Sequence, residues 1–471
     1  MKFGGTSVGD ASAIRQAVDI IAEAHRDWSR LVVVTSAMAG VTNALLASAQ
    51  SAAEGDRLRF TQTAQDLRAL HFAVLDDLIT DLALQSRLKG DLQHLLSDFL
   101  NLCQAIAVLG EATPRALDAV TSLGERMAVR VLCAVAENAH LPVQAVEATE
   151  LIITDDHYQN AHPDLVASTL RTNRLLSPIL AGGRIPIVTG FIGSNPNGVT
   201  TTLGRGGSDF SAAILGAILP ADEVWIWTDV DGVMTADPRL VENAATVDVL
   251  SYREVAELAY YGAKVLHPKT IRPVIEAGIG LRVCNTFNPG HPGTRIVADS
   301  QPRSDGVIKA VTAIRGLSLV TLEGRGMLGV PGVAARTFAA VATTGTSVPL
   351  ITQASSEQSI CFAVPQDATA SVLERLRSAF AVEIDSKDID RVWATDEVGI
   401  VTVVGAGMQS TPGVAGRVFS ALGDRSVNVI AVAQGSSEVS ISLVVSAADL
   451  KTAVSALHEL IINRSAERGL P

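Results

Sequence analysis

The chain has 471 residues, 48% hydrophobic and 18% charged, with a net charge of −12 at pH 7. That is the composition of a globular protein, and the negative balance argues against nucleic acid as a partner, which needs positive surface. No uninterrupted apolar run reaches the ~20 residues of a membrane span, no apolar signal-peptide region follows Met1, and the four cysteines (Cys103, Cys133, Cys284, Cys361) form no Cys-x-x-Cys pair. We therefore expect a cytoplasmic protein of two to four domains, with no membrane partner, no structural metal and no disulfide framework.

In chain order, Lys2-Phe3-Gly4-Gly5-Thr6-Ser7-Val8-Gly9 is a glycine turn bearing a lysine, followed by a helical pattern from Ala11 to about His25. Leu31 to Thr35 is β-rich, and Ser36-Ala37-Met38-Ala39-Gly40-Val41-Thr42-Asn43 leads into a second helix. Repetition of strand, small polar loop and helix predicts an α/β sandwich with ligand loops at the strand ends. Between Arg57 and Ala119 the apolar residues recur at three and four (Leu67, Leu70, Val74, Leu78; Leu88, Leu92, Leu95, Phe99), which predicts an inserted helical hairpin. Its second helix is expected to start near Gly90. His71 and His94 read as surface residues, because no carboxylate or cysteine stands at metal-ligand spacing. Ser122-Leu123-Gly124-Glu125-Arg126 then opens an apolar helix reaching about Ala136.

The apolar run Ile185–Ile192 and a Ser-Asn-Pro-Asn-Gly turn precede Thr200-Thr201-Thr202-Leu203-Gly204-Arg205-Gly206-Gly207-Ser208-Asp209, and a helical pattern follows. Glycines let backbone N–H groups approach a ligand, a helix N-terminus favours anions, and Arg205 adds a planar cationic fork. This stretch reads as an anion site. Farther on, the buried strand Glu223–Trp227 delivers Thr228-Asp229-Val230-Asp231-Gly232 to a loop, then Asp237-Pro238-Arg239. A helix near Tyr252–Tyr260 precedes Gly262-Ala263-Lys264-Val265-Leu266-His267-Pro268, and the domain is expected to close around Pro302.

The remainder repeats itself. Gly324 to Phe338 returns as Gly405 to Phe419, aligning Met327 with Met408, and Gln353, Ser355, Ser356 and Glu357 return as Gln434, Ser436, Ser437 and Glu438. Each copy reads strand, Gly loop, helix, strand, strand, a small ferredoxin-like pattern, and two such units are expected to pair side by side. Gly324-x-Gly326-x-x-Gly329 matches a dinucleotide fingerprint, but its repeat partner lacks the third glycine and no acidic residue follows at ribose-binding distance.

The P-loop and protein-kinase motifs are absent from the sequence. Phosphoryl transfer needs mainly positioning and cations on phosphate oxygens. Lys2 within Gly-Gly-Thr-Ser suits that task, and Lys264 is a weaker candidate. Arg205 can hold a carboxylate bidentately and Glu125 an amine, a pair complementary to an amino acid.

Six stretches, Lys2–Val8, Ser122–Arg126, Gly190-Phe191-Ile192-Gly193, Gly204–Asp209, Thr228–Gly232 and Gly262–Pro268, resemble in order the motif set of aspartate kinases. Those enzymes have the amino-acid kinase fold and two C-terminal ACT domains, which the repeat resembles. The likeness runs from Lys2 to about Leu460. The helical insertion and the segments Ile351-Thr352-Gln353 and Ala433–Glu438 look closest to the kinase half of bifunctional aspartokinase–homoserine dehydrogenases, with the dehydrogenase part expected to be absent after Pro471.

The resemblance implies an α/β amino-acid kinase fold (an α/β/α sandwich) over 1–302 with a helical insertion at 57–119, then α+β ACT domains at 303–390 and 391–471. It implies ATP and L-aspartate as substrates, Mg²⁺ with the nucleotide, and 4-phospho-L-aspartate and ADP as products, the first step of lysine, threonine and methionine biosynthesis. Lys2, Arg205 and Asp209 would be catalytic, Asp209 orienting Lys2. Arg205, Gly206, Gly207 and Ser208 would hold the α-carboxylate and Glu125 the amine, with Ser36, Thr42 and Phe191 shaping the pocket. Lys2, Phe3, Gly4, Gly5, Thr228, Asp229, Met234, Asp237, Arg239, Lys264 and Val265 would serve ATP. Met327, Gln353 and Gln434 would form effector sites, in a homodimer or higher homo-oligomer joined through ACT domains. Threonine is the expected effector and lysine the runner-up, since Pro349 stands where lysine-sensing relatives tend to carry an acidic residue. Two departures from the family pattern stand out. Only Met1 precedes Lys2, so either the first strand is expected to anchor it poorly or the start site is misassigned. Met234 replaces a usual tyrosine beside the nucleotide. The alternative expectation, motivated by the short N-terminus, is a non-catalytic or weakly active regulatory subunit that binds amino acids.

Overall fold

The computed structural model describes residues 1–262, 266, 268–298, 307–353, 358–434 and 439–467. Lys264, Val265, the expected boundary near Pro302 and the Ser-Ser-Glu segments of both repeats lie outside the described residues. By contact density the chain forms two units. The first comprises Met1–Val233, Asp248–Tyr252 and Leu266–Ala298; the second comprises Met234–Val247, Arg253–Val265 and Asp299–Pro471.

The first unit runs β1 (Lys2–Phe3), α1 (Ala11–Asp27), β2 (Val33–Thr35), α2 (Val41–Ala53), α3 (Arg57–Leu78), α4 (Leu82–Leu109), α5 (Pro114–Asn138), β3 (Val143–Val146), α6 (Leu165–Ala181), β4 (Ile185–Thr189), β5 (Ile192–Ser194), β6 (Thr200–Thr202), α7 (Gly207–Ile218) and β7 (Glu223–Thr228). After β8 (Val249–Ser251) and α8 (Tyr252–Tyr260, mostly in the second unit) come α9 (Pro268–Glu276), β9 (Gly280–Asn285) and β10 (Thr294–Val297). The sheet order is β3-β4-β2-β1-β7-β9-β10-β8, parallel from β3 to β9, while β5 and β6 form a separate hairpin. Its buried strands read as apolar runs because helices cover a parallel sheet.

β1 is short but not loose. Lys2 pairs with Val34 on one side and Ile226 on the other, and Phe3 with Thr35 and Trp227. The Met1 ammonium donates to the Val32 carbonyl at 2.7 Å, and Lys2 is buried. The expected poor anchoring of Lys2 is therefore corrected: two flanking strands hold it.

The insertion differs from expectation in three places. α4 begins at Leu82, because the Asp81 carboxylate accepts from the amides of Ala83 (2.8 Å) and Leu84 (3.2 Å). Gly90 sits inside the helix, where its cost of about 1 kcal/mol is tolerated. α5 begins at Pro114 under a Thr113 cap, which leaves Ser122–Arg126 in the helix interior rather than at its start. His71 is fully buried, its Nδ1 2.7 Å from the Leu67 carbonyl, whereas His94 is exposed. Burial lowers the His71 pKa. α4 is also the one helix among the described residues long and apolar enough to cross a membrane by composition, yet its Leu88, Leu92, Leu95, Leu96, Phe99, Cys103 and Ile106 belong to the core of this unit.

The second unit contains β11 (Ala310–Glu323), α10 (Val333–Ala342), β12 (Leu350–Gln353), β13 (Ser359–Pro365), α11 (Thr369–Ala379), α12 (Ala381–Asp385), β14 (Arg391–Val404), α13 (Val414–Gly423), β15 (Ala431–Ala433), β16 (Ser440–Ser446) and α14 (Leu450–Glu467). Its antiparallel sheet has the order β12-β13-β11-β14-β16-β15. The two repeats thus lie side by side in one sheet and exchange strand halves. Ala310–Ile314 pairs with Ile400–Val404, and after a register irregularity Leu317–Glu323 pairs with Arg391–Val398. Val311 accordingly belongs to the core of the second repeat and Val392 to that of the first. Residues 234–247 join the second core through Ala236 and Val241. There the Val311 amide donates to the Thr235 carbonyl at 2.8 Å, and the Thr235 hydroxyl lies 2.8 Å from His458 Nε2.

Candidate active site

A parallel sheet gathers ligand loops at the carboxyl ends of its strands. Here the loops after β1, β2, β4 and β7 are tied together by backbone bonds: Gly4 N–H to Trp227 O (3.0 Å), Ser36 N–H to Phe3 O (3.1 Å) and Gly190 N–H to Thr35 O (2.8 Å). Ser7 adds a link, its hydroxyl donating to the Trp227 carbonyl at 3.2 Å and accepting from Thr286 at 2.7 Å. The Lys2-Phe3-Gly4-Gly5 turn is held rigidly at the centre of the sheet.

The β6–α7 loop closes one side. Gly206 takes φ +70° ahead of the helix, and Ser208 and Asp209 fall in its first turn, where a carboxylate complements the helix dipole. Asp209 Oδ1 lies 2.7 Å from Lys2 Nζ, so the ammonium is fixed in place without being engulfed. Arg205 is exposed on the loop, and no partner among the described residues restrains its fork. Gly190 is required opposite: a Cβ there would lie 2.6 Å from Ser208 Cβ. Phe191 follows at φ +65°, donating to Ser211 Oγ at 3.1 Å and accepting from Leu203 N–H at 2.8 Å. Ser36 and Thr42 are half-buried, one just after β2 and the other at the start of α2.

Glu125 enters from the middle of α5. It is buried, and that burial pushes its pKa up to about 8, against the opposing pulls of the Ala37 amide, the Lys2 charge and the Ser208 hydroxyl. Its Oε2 is buried and lacks a hydrogen-bond partner among the described residues. A buried carboxylate oxygen left without a donor is costly, and a ligand ammonium would satisfy it. Lys2, Asp209, Ser208, Glu125 and the loop at Ala37 are thereby brought together in one recess, the Lys2–Asp209 ion pair beside a carboxyl that a ligand ammonium would draw into its ionised form.

The expected nucleotide residues divide between the units. Thr228 and Asp229 end β7 in the first, the Thr228 hydroxyl donating to Asp229 at 3.1 Å. Met234, Asp237 and Arg239 belong to the second. There Arg239 grips Asp237 with contacts of 3.0 and 2.7 Å, and this hydrogen bonding holds the Asp237 carboxyl below its usual range. The Met234 sulfur lies 3.8 Å from the Thr246 hydroxyl. Among the expected effector residues, Met327 is buried in the first repeat's core, so its side chain braces the Gly loop, while Gln353 and Gln434 are exposed at the ends of β12 and β15. A surface group, Asp155, His157 and His162, brings possible metal-ligand atoms within 4.8 Å of one another, although a 3.0 Å hydrogen bond between Asp155 and His162 accounts for that geometry.

One residue escaped the sequence reading altogether. Asp118, in the first turns of α5, is buried and accepts hydrogen bonds from β6 and from the turn at Gln159. No motif or periodicity marks it.

Residues 1–285 match the amino acid kinase family, and residues 320–380 and 401–460 each match an ACT domain. The chain is 38% identical to bifunctional aspartokinase/homoserine dehydrogenase 2 of Arabidopsis thaliana, the match covering 97% of this chain and 50% of that protein; it spans about half the length of the bifunctional relatives it matches. It is 32% identical to lysine-sensitive aspartokinase 3 of Escherichia coli, over 97% of both chains. The crystal structure of E. coli aspartokinase III in complex with aspartate and ADP superposes with a TM-score of 0.79 at 30% identity, covering 98% of this chain and 99% of that one.

Proposed function

The chain belongs to the aspartate kinases of the amino acid kinase family, and from that premise we propose that it phosphorylates the side-chain carboxylate of L-aspartate with ATP. The observation that carries the substrate is the buried Oε2 of Glu125, which has no hydrogen-bond partner among the described residues. It is suited to an α-ammonium, with Arg205 and Ser208 holding the α-carboxylate. The E. coli structure bound to aspartate and ADP supports the same reading.

A carboxylate nucleophile is ionised at neutral pH, so no general base is required. One aspartate β-oxygen attacks the γ-phosphorus of ATP; the new O–P bond forms as the bond to the β-phosphate oxygen breaks, leaving 4-phospho-L-aspartate and ADP. Lys2, aimed by Asp209, places its charge on the transferring phosphoryl group, and the Gly4 and Gly5 turn lets that group approach the backbone. Mg²⁺ enters as the counter-ion of the nucleotide substrate. Thr228, Asp229, Met234, Asp237, Arg239, Lys264 and Val265 serve ATP in this proposal.

The matched ACT domains fit allosteric control by an amino acid. We assign threonine as the effector, with Gln353 and Gln434 as its amide contacts. Lysine is the competing candidate, and E. coli aspartokinase 3 is lysine-sensitive by name. Domain limits of 1–302, 303–390 and 391–471, a homo-oligomer joined through ACT units and a cytoplasmic location complete the proposal. The reading as a non-catalytic subunit rested on a weak first strand, and the two-sided pairing of β1 removes its motive. Incubation with ATP, Mg²⁺, L-aspartate and hydroxylamine tests the activity, since an acyl phosphate is trapped as the hydroxamate.

A further inference from the structure

We propose that Asp118 is the positioning residue that sets the separation between the two halves of the amino-acid pocket. The inference rests on the aspartate reading above and adds a determinant of substrate affinity outside the contact shell.

Asp118 and Glu125 are seven residues apart on α5, about two helical turns, so they share one face. Both are buried, at 1% and 3% exposure. The Asp118 carboxylate takes donors from two separate elements. Oδ1 accepts from the Thr202 hydroxyl at 2.8 Å and Oδ2 from the Thr202 amide at 2.9 Å; the Gln159 amide reaches both oxygens, at 3.1 and 3.0 Å. Thr202 ends β6 three residues before Arg205 and six before Ser208. Gln159 and its neighbour Asn160 support the same loop from below. Gly204, at φ +79°, lies so close that a Cβ there would sit 2.9 Å from Asn160 Oδ1 and 3.0 Å from the Gln159 carbonyl. The Ala161 amide also donates to the Thr202 carbonyl at 2.9 Å.

One carboxylate thus pins the loop carrying Arg205 and Ser208, through its strand and its supporting turn, to the helix carrying Glu125. Among the described residues its donors are two backbone amides and the Thr202 hydroxyl, so most of its bonds go to the main chain itself. The carboxylate of an amino acid is held on the loop side and the ammonium on the helix side, so the distance between those elements selects the ligand. The nucleotide turn at Gly4 and Gly5 is not among the groups Asp118 touches.

A split between the two substrates follows. In Asp118→Asn one acceptor becomes an NH₂ facing amide donors, so the KM for L-aspartate should rise about tenfold, the loss of a charge-assisted hydrogen bond, while the KM for ATP stays within about twofold. Thr202→Val removes only the hydroxyl bond and should raise the aspartate KM alone by about threefold. If Asp118→Asn does not fold, the Thr202→Val split decides. Equal changes in both KM values, or an unchanged aspartate KM in a folded variant, overturns the positioning role while leaving the wild-type activity standing. Absence of aspartate turnover in the wild type overturns both readings.

Discussion

The Lys2 ammonium and the Asp209 carboxylate meet at 2.7 Å, joining the first turn of the chain to the first turn of a helix two hundred residues later. Lys2 is 8% exposed, so its charge is neutralised and aimed by one partner rather than by water. Removing it in Lys2→Ala should lower kcat/KM by roughly 10²–10³-fold, the scale of losing a preorganised charge at a transition state. Asp209→Asn should cost less, chiefly in kcat, because the ammonium survives but wanders. Arg205→Ala should raise the aspartate KM without lowering thermal stability, since Arg205 is exposed. Steady-state kinetics with both substrates varied distinguish these outcomes.

Glu125 predicts a pH-dependent stability of defined sign. Its folded pKa of about 8 lies above the unfolded value of 4.5. The folded state therefore holds the proton more tightly, and the associated stability is full below about pH 4.5 and lost as pH rises through about 8. Glu125→Gln, which cannot ionise, should melt above the wild type at about pH 8.5 and converge with it near pH 5. Its aspartate KM should rise more at pH 8.5, where the wild-type carboxyl is mostly ionised, than at pH 5, where it holds its proton. A melting difference that grows toward low pH would contradict the assignment.

These readings differ in how far the sequence could reach. Glycine turns, the Glu-Arg helix and the repeat were legible because each is a local pattern with a local cause. Cap chemistry decides the helix starts: Asp81 and Thr113 begin α4 and α5, and Gly90 and Ser122 lie inside them. Metal-ligand spacing says nothing about burial, and His71 lies in the core because it shares a face of α3 with Leu67, Leu75 and Leu78. Asp118, and the exchange of strand halves between β11 and β14, were out of reach. Each depends on partners tens of residues away, and neither leaves a periodic trace.

The chain start offers a third test. The Met1 amino group is half-buried, and desolvation lowers its pKa to about 5. A cavity of about 600 Å³ is lined by Met1, Leu31, Val32, Val224 and Trp225 among others, residues at the starts of β1, β2 and β7. Adding about three apolar residues before Met1, roughly 10 Å of strand, should extend the β1 pairing, fill that space and turn the ammonium into an amide. The melting temperature should rise. The gain should be larger near pH 6 than near pH 8, because a group whose folded pKa is depressed costs stability as pH falls. An extension that changes neither stability nor activity would refute the slot.

Regulation gives a fourth. For inhibition, threonine must bind the less active state better, and tenfold preference is about 1.4 kcal/mol per site. Threonine should inhibit the kinase, lysine should act weakly, and Gln353→Ala should relieve the threonine effect. Strong inhibition by lysine, or threonine inhibition unchanged in that variant, would overturn the assignment.

The most direct measurement is the hydroxamate assay on the intact chain with ATP and Mg²⁺. Aspartyl hydroxamate should form only when L-aspartate and ATP are both present, should fail to form with glutamate, and should be abolished in Lys2→Ala. A folded wild-type protein that yields no hydroxamate from aspartate, or one that uses glutamate as well, would contradict the account.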